Sequence, residues 1–101
     1  MAISDHYYFQ QGMVDLVPTV QGVYFLWQGD ELIYIGRAVG EGVSIKSRLN
    51  GHLAGRDGPC TQAATTFTYE ARLDGKAAEV SYLNGYHRRM GRLPRCNDRI
   101  G

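Results

Sequence analysis

Two short apolar runs separated by a turn signal form the clearest pattern in the chain. Residues 22–28 (GVYFLWQ) and 31–36 (ELIYIG) are rich in β-branched and aromatic side chains, and Gly29-Asp30 between them is typical of a tight turn. Both runs are almost continuously apolar, which is typical of strands covered on both faces. The pattern therefore predicts a β-hairpin that is packed on each side.

Two later segments show helical spacing. A helix is predicted over residues 45–55 with Ser44 as its N-cap, and a longer one over residues 75–90 with Asp74 as its N-cap and Gly91 as its stop. The expected buried faces are formed by Ile45, Leu49 and Leu53 in the first helix and by Ala78, Leu83, Tyr86 and Met90, with Tyr82 partly buried, in the second.

The remaining segments complete the expected fold. Residues 65–72 (TTFTYEAR) alternate between apolar and polar positions, which predicts a half-buried strand, whereas residues 1–20 and 55–64 are predicted to be an irregular lead-in and a loop. The element order is strand, strand, helix, strand, helix. We therefore expect one α+β domain over residues 1–101, with a small three-stranded antiparallel or mixed sheet flanked by helices and a motif-bearing core at residues 22–97.

Composition narrows the class of protein. The 101 residues are 44% hydrophobic and 21% charged, as in an ordinary globular domain. No apolar run reaches the roughly 18 residues that span a bilayer, and the first residues lack the layout of a signal peptide, so we expect a cytoplasmic protein without membrane contacts. Cys60 and Cys96 have no CxxC partner and are expected to be free thiols; nothing local supports a catalytic Cys–His pair.

The charge is unevenly distributed although the net charge is only +1. Acidic residues outnumber basic ones in residues 1–75, and basic residues outnumber acidic ones in residues 76–101. The C-terminal quarter is therefore a candidate surface for a polyanion. Arginines that complement the dipole at the end of a solvated helix explain the same excess equally well.

Three residues on the predicted helices have side chains suited to phosphate chemistry. Arg48 and His52 are four residues apart and lie off the apolar face, so a phosphate-binding fork and a proton carrier are neighbours. Glu79 lies near the start of the second helix, where a carboxylate is stabilised by the helix dipole and can hold one Mg²⁺. Taken singly, Arg48 and His52 are more often solvated surface residues, and a lone Glu near a helix start more often only complements the helix dipole.

The hairpin carries two tyrosines, Tyr24 and Tyr34, and Arg37 follows the second one closely. Strand tyrosines usually belong to the core, with the hydroxyl bonded to a partner. A nearby cation, however, lowers the pKa of a phenol and makes it a better proton acceptor. We therefore expect Arg37 to lower the pKa of the tyrosines.

These residues together resemble the GIY-YIG nuclease family. The paired motif appears as Gly22-Val23-Tyr24 and Tyr34-Ile35-Gly36, with Val in place of the first Ile. The further matching positions are Arg48 with His52 four residues later, Glu79 near the start of the second helix, and Asn97 close to the C-terminus. The elements follow the family's order over residues 22–97. The loop AVGEGVS is longer than in compact members, and we expect no appended DNA-binding domain.

The resemblance implies a metal-dependent endonuclease, active in DNA repair or restriction, that hydrolyses phosphodiester bonds in DNA with one Mg²⁺ or Mn²⁺. The implied roles are a general base at Tyr24 with Tyr34 as helper or alternative, a phosphate contact at Arg48, a second clamp at Arg37, an orienting or phosphate-bridging group at His52, the metal ligand at Glu79, and a structural role for Asn97. The implied DNA contacts are Arg37, Lys46, Arg48, Arg88, Arg89, Arg92 and Arg95.

The kind of DNA is left open by these residues. The modest charge argues against tight sequence-specific duplex binding by a monomer, so single-stranded, branched or otherwise accessible DNA is expected. A catalytically inactive nucleic-acid-binding module of the same fold is one alternative. A homodimer that cuts both strands, as restriction enzymes do, is another.

Overall fold

A four-stranded antiparallel sheet with strand order β1-β4-β2-β3 forms the centre of the computed structural model, which describes residues 2–100. The strands are β1 (Tyr7–Tyr8), β2 (Gly22–Gln28), β3 (Glu31–Ala38) and β4 (Thr66–Ala71). The helices are α1 (Gln11–Val14), α2 (Ile45–Leu53), α3 (Pro59–Gln62) and α4 (Gly75–Met90). The expected α+β class is confirmed. No helix within residues 2–100 is long and apolar enough to cross a membrane.

The expectation of three strands and an irregular lead-in was wrong. Tyr7 pairs with Phe67 and Tyr8 with Thr66, so β1 adds a fourth strand at the edge beside β4. Residues 55–64 also contain a short helix, α3, which starts at Pro59. Elements of two or four residues are too short to show a period, and contacts with the rest of the chain stabilise them instead.

The sheet is covered on both faces, as the apolar hairpin predicted. Tyr24 and Leu26 point to one side, into a core that includes residues of α1 and α2. Val23 and Phe25 point to the other side, against α4. The expected buried face of α4 holds for Ala78, Leu83 and Tyr86 but not for Met90, which is exposed because it lies in the last turn, beyond the part of α4 that packs on the sheet.

Strand β4 is not half-buried as predicted. Its polar positions face α4 and carry buried hydrogen bonds: Thr68 accepts from the indole of Trp27 at 3.1 Å, and Glu70 accepts from the hydroxyl of Tyr82 at 2.9 Å. The alternation of apolar and polar residues therefore marks satisfied polar groups inside the fold rather than a solvent face. Asp74 lies at the predicted N-cap of α4, but its carboxylate binds Arg72 and does not cap the helix.

A β-bulge in the hairpin sets the direction of Ile33, next to Tyr34. Leu26 pairs with Tyr34 whereas Trp27 pairs with Leu32, so Ile33 is the extra residue. Ile33 and Tyr34 consequently both pack on the side of α2. Tyr34 lies on the same face as Tyr24 through the regular pairing of Leu26 with Tyr34 and of Tyr24 with Gly36, and the two ring centroids are 6.1 Å apart.

The two cysteines form a disulfide, so the expectation of free thiols was wrong. Cys60 in α3 is bonded to Cys96 in the C-terminal segment, across 36 positions of sequence. No local motif predicts this pair, because only the packing of α3 against the C-terminal segment brings the Cα atoms of Cys60 and Cys96 to 5.7 Å from each other. Next to the disulfide, the amide of Cys96 donates to the carbonyl of Ile33 at 2.8 Å.

Candidate active-site cleft

A cleft of about 370 Å³ lies where β3, α2, α4 and the C-terminal segment meet. It is lined by Tyr34, Arg37, Val39, Val43, Arg48, Glu79, Asn97, Asp98 and Arg99. Five of the seven residues expected to be catalytic are in this lining; the other two, Tyr24 and His52, lie in the interior. Asp98 and Arg99 were missed by the sequence analysis, and their only signal was their position directly after Asn97.

Arg37 and Glu79 form an ion pair across the cleft. Nη1 of Arg37 donates to Oε1 of Glu79 at 3.2 Å. Glu79 is 8% exposed, and burial raises the pKa of its carboxyl although Arg37 opposes that effect. The expected stabilisation by the helix dipole was wrong, because Glu79 lies beyond the first turn of α4, where that field has largely decayed.

Arg48 carries a buried donor without a partner. Within residues 2–100, its Nε makes no hydrogen bond although the atom is buried. The electrostatic interaction with the neighbouring Tyr24 is the main cause of the raised pKa of Arg48, so the guanidinium stays charged. A buried unsatisfied donor costs about 1–3 kcal/mol.

Behind the cleft lies a buried chain of hydrogen bonds. The hydroxyl of Tyr24 is 2.8 Å from Nε2 of His52, and Nδ1 of His52 is 2.8 Å from the hydroxyl of Thr61. Oδ2 of Asp57 lies 3.4 Å from the same Nδ1 and favours a proton there, so Nε2 accepts from Tyr24. Burial lowers the pKa of His52 to about 4 against the opposing charge of Asp57. His52 is therefore neutral, and it orients Tyr24; without exposed surface it does not reach a phosphate.

The expectation that Arg37 lowers the pKa of the tyrosines was wrong. Burial raises the pKa of Tyr24 and of Tyr34, and the cation that partly opposes this effect is Arg48. Arg37 instead pairs with Glu79. Tyr24 has no exposed surface, whereas Tyr34 is half-buried and lines the cleft.

The glycine of the second tyrosine motif makes room for the tyrosine of the first. Tyr24 and Gly36 are directly opposed on β2 and β3. A Cβ atom on Gly36 would lie 2.3 Å from Cζ of Tyr24, which is far inside van der Waals contact. The ring of Tyr24 therefore lies over the bare backbone of Gly36, and this contact links the two motifs physically.

Asn97 completes the exposed edge of the sheet. Its Oδ1 accepts from the amide of Ile35 at 2.9 Å, and its Nδ2 donates to the carbonyl of the same residue at 3.0 Å. Both backbone groups of Ile35 on the outer edge of β3 are satisfied in this way. The geometry agrees with the structural role expected for Asn97.

The residues expected to contact DNA fall into separate groups. Arg37 and Arg48 line the cleft, whereas Lys46 does not. Arg88 and Arg89 are exposed in the last turn of α4, about 14 Å along the helix axis from Glu79. The remaining two, Arg92 and Arg95, line an adjoining open pocket of about 620 Å³ that shares Asn97 with the cleft. The guanidinium of Arg92 lies 6.0 Å from the ring centroid of Tyr86. Arg95 contacts Glu31 and Gln28.

The cleft can accommodate a divalent ion only with few protein ligands. Across residues 2–100, no group of three or more His, Cys, Asp or Glu side chains is arranged to hold a metal. Glu79 offers Oε2, since Arg37 binds Oε1. This fits a Mg²⁺ that keeps most of its waters and takes one carboxylate plus a phosphate oxygen of the substrate.

Comparisons with known proteins add no family. No model of a known protein family matches the chain. None of the curated proteins compared with it matches either. The sequence motifs and the chemistry of the cleft are therefore the features that indicate a function.

Proposed function

We propose that this protein is a metal-dependent endonuclease of the GIY-YIG type that hydrolyses phosphodiester bonds in DNA. The observation that carries the proposal is the meeting of Tyr34, Arg37, Arg48 and Glu79 in the lining of one cleft. These groups match the needs of phosphodiester hydrolysis: cations for the phosphate, a carboxylate for a divalent ion, and a hydroxyl for the attacking water.

Arg48 binds the scissile phosphate in this proposal. Its half-buried side chain lines the cleft, and its raised pKa keeps the guanidinium charged before the substrate arrives. Such a preorganised donor stabilises the charge that develops on phosphorus in the transition state. Arg37 contacts the same phosphate or a neighbouring one when it exchanges its contact with Glu79 for a contact with the substrate.

Tyr34 is the phenol that contacts the attacking water. It lines the cleft, whereas Tyr24 is fully buried. Because burial raises the pKa of Tyr34, its hydroxyl is protonated at neutral pH and orients the water; proton acceptance by it requires the cationic field of the loaded cleft. Tyr24 and His52 pack against Tyr34 on its buried side. Their ring centroids lie 6.1 Å and 5.0 Å from the ring centroid of Tyr34.

Glu79 is the residue that would hold the Mg²⁺ or Mn²⁺. When bound there, the ion supplies Lewis-acid stabilisation of the leaving 3′ oxygen. The raised pKa of Glu79 means that protons compete for the ligand at a higher pH than for an ordinary glutamate. Activity is therefore expected to fall on acidification before ordinary carboxylates are protonated.

The substrate we propose is single-stranded, branched or otherwise accessible DNA. The cleft holds only about 370 Å³, and Lys46, Arg88 and Arg89 lie outside it in a chain with a net charge of only +1. Duplex affinity comes mainly from many simultaneous phosphate contacts, which this distribution does not favour.

A nucleic-acid-binding module without catalysis is the second candidate. The ion pair between Arg37 and Glu79 favours it, because this contact neutralises the carboxylate that catalysis requires. In that case Arg48 would bind a phosphate, and Glu79 would hold Arg37 in place without binding a metal.

A cleavage assay separates these candidates. Labelled single-stranded, duplex and branched DNA would be incubated with the protein, with Mg²⁺, with Mn²⁺ and without metal. We expect cleavage that needs metal, that is lost in Glu79→Gln and that persists in Glu41→Gln, a control in an exposed carboxylate outside the cleft. Metal-dependent cleavage at an unchanged rate in Glu79→Gln would sink the assignment, and salt-sensitive binding without cleavage would favour the module.

A further inference from the structure

Each cysteine of the disulfide immediately precedes a residue that shapes the cleft. Cys60 precedes Thr61, whose hydroxyl bonds to His52 behind the cleft. Cys96 precedes Asn97, which binds the outer edge of β3 and lines the cleft itself. The disulfide thus joins the segment that supports the buried tyrosine chain to the segment that forms one wall of the cleft.

The C-terminal segment, residues 94–100, depends strongly on this link. It contains no helix or strand. Hydrogen bonds from Cys96 and Asn97 attach it to the edge of β3, and exposed contacts of Arg95 attach it to the hairpin. The disulfide is the covalent restraint on a segment whose residues 97–99 all line the cleft. Without the bond, only the hydrogen bonds of Cys96 and Asn97 and the contacts of Arg95 would attach that wall to the hairpin, whereas the sheet and its two cores keep their own packing.

We infer that the Cys60–Cys96 disulfide is a redox control of the cleft; this inference rests on the proposed nuclease function. Cys60 is exposed and Cys96 half-buried, so an incoming thiolate reaches the sulfur of Cys60 first. The oxidised protein is the active form. The reductant is a dithiol.

The exchange is balanced in atoms and electrons. A thiolate of the dithiol attacks Sγ of Cys60, breaks the bond to Cys96 and forms a mixed disulfide, and the released Cys96 thiolate takes a proton. The second thiol of the reductant then loses its proton, attacks its own sulfur in the mixed disulfide and releases Cys60 as a thiolate, which is protonated in turn. Two electrons pass to the protein, which holds two thiols, and the reductant becomes a cyclic disulfide.

The expected consequence is a slower reaction without unfolding. Once the segment moves, Asn97 no longer holds Ile35, the residue that follows Tyr34 on β3. A displacement of a positioning group by about 1 Å can cost up to 10²-fold in rate, and we expect a loss of about tenfold in kcat/KM on reduction.

The test compares the oxidised protein with protein reduced by dithiothreitol and then freed of reductant under anaerobic conditions. Two quantities are measured: the rate of Mg²⁺-dependent cleavage of labelled single-stranded DNA, and hydrogen exchange at the backbone amides. The amides of Ile35 and Cys96 report the attachment of the segment, and amides within β2 report the integrity of the sheet. The double variant Cys60→Ser, Cys96→Ser is the control. Its cleavage rate and amide exchange should equal those of the reduced protein and should not change when the reductant is added.

Each outcome decides a different point. Slower cleavage with faster exchange at Ile35 and Cys96, and with protected β2 amides, would support the redox control. Equal cleavage rates in both states would overturn the redox control and leave the nuclease proposal standing. General loss of protection at the β2 amides would have the same meaning, because reduction would then unfold the sheet and not release the segment alone. Faster exchange at Ile35 with no cleavage in either state, on any DNA or with either metal, would instead overturn the nuclease proposal, and the control of that activity with it.

Discussion

The hydroxyl of Tyr24 lies 2.8 Å from Nε2 of His52, and neither side chain has any exposed surface. Tyr24, the tyrosine of the first motif, therefore belongs to the interior, where its hydroxyl forms a hydrogen bond with the imidazole of His52. Only the second tyrosine, Tyr34, reaches the cleft. The two hydroxyls should therefore contribute differently to stability.

Removal of the Tyr24 hydroxyl should destabilise the fold more than removal of the Tyr34 hydroxyl. Tyr24→Phe leaves Nε2 of His52 buried and unpaired, which costs about 1–3 kcal/mol. Tyr34→Phe, at a half-buried position in the cleft, should change the free energy of unfolding by less than about 0.5 kcal/mol. Urea denaturation measures both. Equal losses in the two variants would contradict the buried role of Tyr24.

Acidification should destabilise the protein through His52. Its folded pKa is about 4 and its ordinary value is 6.5, so between these values the unfolded chain binds a proton that the folded protein does not. The stability contributed by neutral His52 is present above pH 6.5 and is lost as pH falls toward 4. The loss from pH 7 to pH 5 is about 2 kcal/mol.

The control for that pH dependence is His52→Gln, which has no titrating group at this position. Denaturation curves at several pH values should show a shallower acid slope in the variant than in the parent protein. Parallel slopes would mean that His52 is not held in its neutral form.

Gly36→Ala should disturb the ring of Tyr24. The added Cβ would lie 2.3 Å from Cζ of Tyr24, and neither β2 nor β3 can move without loss of pairing. We expect a loss of about 3 kcal/mol, as for other overpacked cores. Gly85→Ala in α4 is the control, since its nearest neighbour is a flexible arginine end at 4.0 Å; it should stabilise by about 0.5–1 kcal/mol. Thermal denaturation compares them, and a tolerated Gly36→Ala would refute the packing argument.

Arg48 and Lys46 lie on the same helix and should differ in their effect on cleavage. Arg48→Ala removes a cation that lines the cleft and should lower kcat by about 10²–10³. Lys46→Ala removes a cation outside the cleft and should only weaken DNA binding slightly, in a salt-dependent way. Single-turnover cleavage at two salt concentrations measures both effects. A comparable loss in Lys46→Ala would place the substrate elsewhere.

The sequence by itself determined the elements that depend on near neighbours. The hairpin with its turn at Gly29, the capping of α2 by Ser44 and the end of α4 at Gly91 are all readable, because the residues that decide them lie within a few positions. The motif spacing also identified residues that the fold brings into one cleft, since each lies on a predictable element. It could not show how deeply each would be buried.

Only the tertiary structure decided the properties that depend on distant segments. The Cys60–Cys96 disulfide and the strand β1 arise from pairings between remote parts of the chain. The raised pKa of Tyr24 and the pairing of Arg37 with Glu79 follow from burial and from a contact across 42 positions. Burial and desolvation depend on everything packed around a group, and a local pattern of residues does not contain that information.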